Sequence, residues 1–274
     1  MKLPFTIYLY NDSGVSQQAF YQTERCLKNL LSQHYLIKHI NAQEIAQGQW
    51  KTDAVLLVIP GGTDRFYLKR LQGQANQSIK QYVAQGGKYL GICAGAYYAS
   101  ASIEFDQGGA LAIAGHRPLG FFAGTAVGPL FGPHSYNGNC SARCARLRLR
   151  AFDPSAIFEV FYNGGPHFIE AEKYPDVTVI AEYEEITESP AAAIITIKIG
   201  EGVAVLSAVH IEYDALTFPA TDRDLLKLTP TLLNSQPQRL QLLRNLFTTC
   251  ELELHSAGIQ LQSIDASTGI ANST

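Results

Sequence analysis

Six consecutive apolar residues, Ala54-Val55-Leu56-Leu57-Val58-Ile59, make a strand with no polar face. Such a strand is covered on both sides, as at the centre of a parallel sheet flanked by helices. The flanking pattern agrees. Phe5 to Tyr10 reads as a strand, Ser16 to Gln33 as a helix with apolar positions at Phe20, Leu27 and Leu31, and Tyr35 to Ile40 as a strand. After the apolar run come a helix around Asn76 to Gln85, stopped by Gly86 and Gly87, and a short strand from Lys88 to Ile92. This alternation predicts an α/β fold with a doubly wound, mostly parallel sheet between helices.

The stretch from Gly108 to Gly138 is rich in Gly and Pro and yields only short strands and turns. From Cys144 onward strands dominate: Arg146, Arg148 and Arg150 alternate with Leu147 and Leu149, followed by Ile157 to Tyr162, Val177 to Tyr183, Ala192 to Ile199 and Val203 to Val209. The second half of the sheet is therefore expected to be mixed or antiparallel. Asp222 to Leu228 and Gln238 to Leu254 read as helices. The second carries an apolar stripe of Leu243, Phe247, Cys250 and Leu254, which predicts that it lies on the sheet.

With 274 residues, 46% hydrophobic and 16% charged, the chain has ample apolar material for a core. One large α/β domain over residues 1–257, C-terminal helices included, suffices for this pattern. The small, polar tail at 258–274 is expected to be disordered. A formal net charge of -3 provides no positive field for nucleic acid or an anionic membrane surface. No apolar run approaches the roughly 18 to 20 residues of a membrane helix, and Met1 to Tyr10 reads as a first strand, not a secretion signal. Five cysteines, scattered and odd in number, point to a reducing compartment and so to a cytoplasmic protein.

Gly91-Ile92-Cys93-Ala94-Gly95-Ala96 stands where an apolar strand stops and an Ala-rich helix begins. A nucleophile on so tight a turn sits in a strained backbone, and the residues two before and two after it must be small. Gly91 and Gly95 fill those places. The start of a helix also favours the thiolate that does the chemistry. On the motif alone Cys93 is either a nucleophile or a buried small hydrophobe.

Pro60-Gly61-Gly62 follows the apolar strand at the end where open α/β sheets hold their ligands. Its glycines could aim N–H groups at an oxyanion, with the N–H of Ala94 as a further donor, or could simply end the strand. Thr63 or Asp64 could serve only as a helix cap. The strand from Val203 to Val209 ends in His210-Ile211-Glu212, where a histidine and a carboxylate two apart can face one side and activate a thiol.

In that order and at those intervals, the three motifs resemble the class I glutamine amidotransferase superfamily. Ile59 to Asp64, Gly91 to Tyr98 and Tyr162-Asn163-Gly164-Gly165-Pro166 resemble specifically the N-terminal, amidotransferase-like domain of eukaryotic-type biotin protein ligases. The resemblance implies a flavodoxin-like sheet and a triad of Cys93, His210 and Glu212. It also implies an oxyanion hole at Gly61, Gly62 and Ala94, and substrate contacts at Asp64, Tyr97, Asn163 and Gly164.

Two departures qualify it. Glutamine-using relatives carry Gln four residues after the nucleophile, where this chain has Tyr97, and their His-Pro-Glu is here His210-Ile211-Glu212, with Asp214 as a fallback acid. Nothing resembles a ligase adenylate loop, so the chain is not expected to biotinylate anything alone. The reading calls for no cofactor and no metal. It implies an amide or acyl small molecule as substrate, a partner synthetase or ligase, and neither nucleic acid nor membrane. The rival is a binding or regulatory module of the same fold that turns over nothing.

Four other features are left open. Tyr162 to His167 reads equally as a loop reaching the nucleophile and as a hairpin. Cys140, Cys144 and His134 lack the second pair that would complete a metal set. The arginine row at 146, 148 and 150 reads as a solvated edge more than as an anion site. His116-Arg117 has no assigned role.

Overall fold

The computed structural model describes residues 5–187 and 190–254. Its first half alternates as the hydrophobic pattern demands: β1 (Thr6–Tyr10), α1 (Gln17–Leu31), β2 (Leu36–Ile40), α2 (Ala42–Gln47), β3 (Ala54–Ile59), α3 (Asp64–Arg70), α4 (Gln74–Ala84), β4 (Lys88–Ile92) and α5 (Ala94–Ala99). Seven strands follow before the C-terminal end of the sheet. They are β5 (Ser100–Phe105), β6 (Ile113–His116), β7 (Phe122–Gly128), β8 (Arg143–Leu149), β9 (Ile157–Tyr162), β10 (His167–Phe168) and β11 (Val177–Tyr183). Then come β12 (Ala192–Ile199), β13 (Gly202–Ser207), α6 (Arg223–Asn234) and α7 (Gln236–Thr249). The predicted tail at 258–274 lies outside the described residues.

Strands β2, β1, β3, β4 and β13 run side by side, each ladder parallel. This is the flavodoxin-like frame, and Leu56, Leu57, Val58 and Ile59 are fully buried in it, as two-sided coverage requires. Register places the site. Ile59 pairs with Gly91, Gly91 with Leu206 and Ile92 with Ser207. The residues that follow these three strands, Pro60-Gly61, Cys93 and His210, therefore emerge together at the carboxyl edge, where such sheets hold ligands.

Beyond β13 the sheet continues antiparallel through β12, as the second-half pattern predicts, and divides. One branch passes through β10, β7, β5 and β6. The other passes through β11, β8 and β9 and returns to the site, where the His210 N–H donates to the Phe161 carbonyl at 2.9 Å. Helix α7 packs Leu243, Leu246 and Phe247, with Cys250 at its cap, against Leu56, Leu90 and Val205, so this part of the predicted stripe faces the sheet, while the helix ends at Thr249 and Leu254 lies beyond it.

Three local readings change. Strand β8 is not an edge: it lies between β9 and β11, and Arg146, Arg148 and Arg150 pair with Glu184 and Glu182 on the neighbouring strand and its extension. The predicted break after Leu228 is absent, because α6 continues through Pro230. The turn at Asn163-Gly164 makes no hairpin either, since β10 pairs with β7 and β12 and not with β9.

Candidate active site

Cys93 sits between β4 and α5 at φ 50 and ψ -103, in the positive-φ region of backbone space that β-carbon-bearing residues avoid. The turn is tight enough to need both glycines. A β-carbon on Gly91 would come within 2.6 Å of the Gly95 carbonyl oxygen, and one on Gly95 would run into the Ile59 carbonyl. Tyr89 locks the elbow from beneath by donating its hydroxyl to the Gly95 carbonyl at 2.9 Å. The N–H groups of Ala94 and Gly62 make no hydrogen bond among the described residues, and Gly62 and Ala94 both line the space beside the Cys93 sulfur.

Gly61 also lies against the histidine. Its α-carbon faces the histidine ring, and a β-carbon there would approach His210 Cε1 at 2.7 Å. Glycine at this position makes room for the imidazole.

His210 and Glu212 are 4% and 2% exposed and face each other at 2.7 Å from Nδ1 to Oε1. Asp214 points elsewhere, capping the turn at Leu216 and accepting from Gln236, so Glu212 is the carboxylate that faces the imidazole. Burial alone would push the His210 ring down. The Glu212 carboxylate and then the Cys93 sulfur outweigh it, and the ring is raised to about 10. With Nδ1 committed to Glu212, Nε2 is the nitrogen left for the thiol. The Tyr213 ring, stacked on Phe161 at 4.3 Å, walls the imidazole from one side.

All the predicted substrate residues converge here. The Asn163 carbonyl lies 3.8 Å from Cys93 Sγ, while its side chain accepts from Ser141 at 2.9 Å. The buried Tyr97 hydroxyl donates to the Gly164 carbonyl at 3.2 Å. Asp64 is buried and paired with Arg117, Nε to Oδ2 2.6 Å. Asp64, Tyr97, Ile103, Phe105 and Gly164 enclose an inner recess of only about 20 Å3 beside Cys93. The outer cavity, about 570 Å3, is bounded by Gly14, Gln18, Arg65, Asn139, Cys93 and His210 among others.

Sequence reasoning missed several contributors. His134 and Tyr136 stand between recess and cavity, and burial pushes the His134 ring below the ordinary histidine value. Cys140 is exposed and Cys144 faces the Leu228 carbonyl, so the three residues weighed as metal ligands point apart. Arg117 emerges as the partner of Asp64.

Arg239 of α7 is 4% exposed and donates from Nη1 to the Ile211 carbonyl at 2.7 Å, fixing the peptide between His210 and Glu212. That bond restrains the backbone between the two side chains. Replacing Arg239 with Met leaves the buried Ile211 carbonyl unpaired. A loss of about 2 kcal/mol of stability in urea unfolding is expected.

The fold and site together define an α/β protein with a cysteine on a strained strand-to-helix elbow, facing a buried His–Glu pair. The family described as "Biotin-protein ligase, N terminal" matches residues 5–269, and the chain belongs to that family. It is 33% identical over 219 residues to the biotin–protein ligase of Schizosaccharomyces pombe, a span of 79% of this chain and 35% of the ligase. The chain thus spans about a third of that relative's length. It is 41% identical over 211 residues to an uncharacterized protein of Chlamydia muridarum, covering 76% of this chain and 80% of that protein. A ThuA-like protein from Bacteroides uniformis shares the fold at a TM-score of 0.50 and 10% identity, over 84% of this chain and 91% of that one. Among the described residues no helix is long and apolar enough to cross a membrane.

Proposed function

We propose that the protein is an amidotransferase-like cysteine hydrolase or acyl-transfer domain acting on a small amide or acyl compound. The observation that carries this reading is the placement of Cys93 at φ 50 beside the buried His210–Glu212 pair. Cys93 Sγ, its proton already held on His210 Nε2, attacks the acyl carbon as the thiolate, giving a tetrahedral oxyanion held by the N–H groups of Gly62 and Ala94. The intermediate collapses to a thioester as His210 returns the proton to the leaving amine. Water, or an acceptor supplied by a partner ligase or synthetase, then releases the acyl group. Glu212 keeps the imidazole in the tautomer this sequence needs. The proposed setting is cytoplasmic, without nucleic acid, membrane, metal or cofactor in the reaction.

The buried Tyr97 and the 20 Å3 recess support the second reading, a binding or regulatory module with no turnover. Cys93 alkylation by iodoacetamide, followed by mass spectrometry across pH in the wild type and in His210→Ala, separates the two. The hydrolase reading expects Cys93 to react at pH 6.5 at least tenfold faster in the wild type than in the variant. Equal, slow labelling in both would leave the binding module.

A further inference from the structure

Arg65 lines the outer cavity together with Cys93 and His210. It is exposed, and its guanidinium stacks over the Phe66 ring at 5.1 Å from Cζ to centroid. Among the described residues it forms no ion pair and no side-chain hydrogen bond, whereas the other strong charges around the site are matched. Arg117 pairs with Asp64, Arg70 with Asp12, and His210 with Glu212. No Asp or Glu is among the residues bounding the outer cavity, and the one carboxylate of the inner recess, Asp64, is already engaged by Arg117.

A guanidinium stacked on an aromatic face keeps its N–H edges free and planar, the shape that grips a carboxylate through two parallel hydrogen bonds. An ammonium group, by contrast, would find no anionic partner in this cavity and would meet Arg65 as a like charge. A single arginine matches the charge of a monoanion, and a phosphate dianion would leave charge unbalanced.

From this pattern we infer that the substrate is an amide or acyl compound with a carboxylate at its far end and no ammonium group, the carboxylate being held by Arg65 while Cys93 meets the acyl carbon. The inference rests on the nucleophile reading above and narrows its substrate class. It distinguishes the expected substrate from a free amino acid, which carries both charges.

Three alkylating reagents of similar size test it: iodoacetate, iodoacetamide and 2-bromoethylamine. In each, Cys93 sulfur displaces halide from a methylene carbon, and the probes differ in charge. Rates at Cys93 are normalised to those of the neutral thiol N-acetylcysteinamide. The normalised iodoacetate-to-iodoacetamide ratio is expected to be about three- to tenfold higher in the wild type than in Arg65→Gln, to be partly kept in Arg65→Lys, and to fall in 1 M salt. Bromoethylamine should be the slowest of the three. Lys69→Gln makes the same charge change on α3 outside the cavity and should leave the ratio unmoved. A ratio insensitive to Arg65→Gln, with Cys93 reacting freely, overturns the carboxylate assignment alone. A Cys93 inert to all three reagents overturns the nucleophile reading, and this one with it.

Discussion

Arg117→Met is expected to destabilise the protein by about 3 to 5 kcal/mol, and Asp64→Asn placed in the same chain should restore most of that loss. The Arg117 side chain is 3% exposed and the Asp64 side chain 10%, with 2.6 Å between Nε and Oδ2. Arg117 Nη1 also donates to the Gly115 and His116 carbonyls, so the guanidinium ties the end of β6 to the first residue of α3. Removing it leaves a carboxylate inside the recess with no cation to face. Even in the wild type, burial outweighs the pull of Arg117 and holds the Asp64 carboxyl above the usual carboxylate value.

That direction fixes the pH dependence. Between the unfolded value of about 3.9 and the raised folded value, the native state binds more protons than the unfolded chain, so stability falls as pH rises through that window and stays lower above it. In Arg117→Met the folded value climbs further, and the loss deepens at neutral pH. Thermal unfolding at pH 4.5 and 7 reads this directly. The variant's melting temperature should drop by roughly 6 to 15 °C at pH 7 and by clearly less at pH 4.5, and the double variant should lose the pH difference. Equal drops at both pH values, unrelieved by Asp64→Asn, would mean that Asp64 takes no charge in the fold.

The parts of the site legible in the sequence are those whose residue types are forced by local geometry. Six apolar residues in a row require two covered faces, and Gly91 and Gly95 are required by a turn whose backbone atoms nearly touch, so Cys93 could be placed from spacing alone. His210-x-Glu212 was legible from its residue types after an apolar strand, although the strand stops at Ser207 and the two side chains meet across a turn rather than by strand alternation. Arg117, Arg239, His134 and Arg65 were not. Arg117 and Arg239 lie far along the chain from what they touch, 53 residues between Arg117 and Asp64 and 28 between Arg239 and Ile211, and a lone polar residue such as His134 in a loop or Arg65 on a helix carries no period. The short helices α2 and α3, six and seven residues long, fall below the length at which a 3.6-residue period can be recognised. The Asn41–Glu44 capping box sets α2, whereas α3, whose Thr63 makes no side-chain cap bond, is set by tertiary contact.

Glu212→Gln should reverse the protonation of His210. In the wild type the carboxylate, 2.7 Å from Nδ1, is the largest influence opposing burial, and the ring is raised to about 10. With an amide in its place burial prevails, and the ring should titrate below the ordinary value of about 6.5. The Cε1 proton resonance of His210, followed by NMR across pH, measures the change in each protein. Stability should respond with opposite signs. In the wild type the His210 contribution is fully present below about 6.5 and is lost as pH rises through about 10. In the variant the ring is neutral in the fold, so stability from this group falls as pH is lowered through 6.5. The chemical consequence follows from charge: a cationic imidazole beside Cys93 stabilises a thiolate, and a neutral one does not. Iodoacetamide labelling of Cys93 at pH 7 should therefore slow by tenfold or more in Glu212→Gln, while Asp214→Asn, which alters a carboxylate facing Gln236 and Leu216, should leave the rate unchanged. Slowing in Asp214→Asn equal to that in Glu212→Gln would move the orienting role away from Glu212 and separate the pair seen in the fold from the chemistry assigned to it.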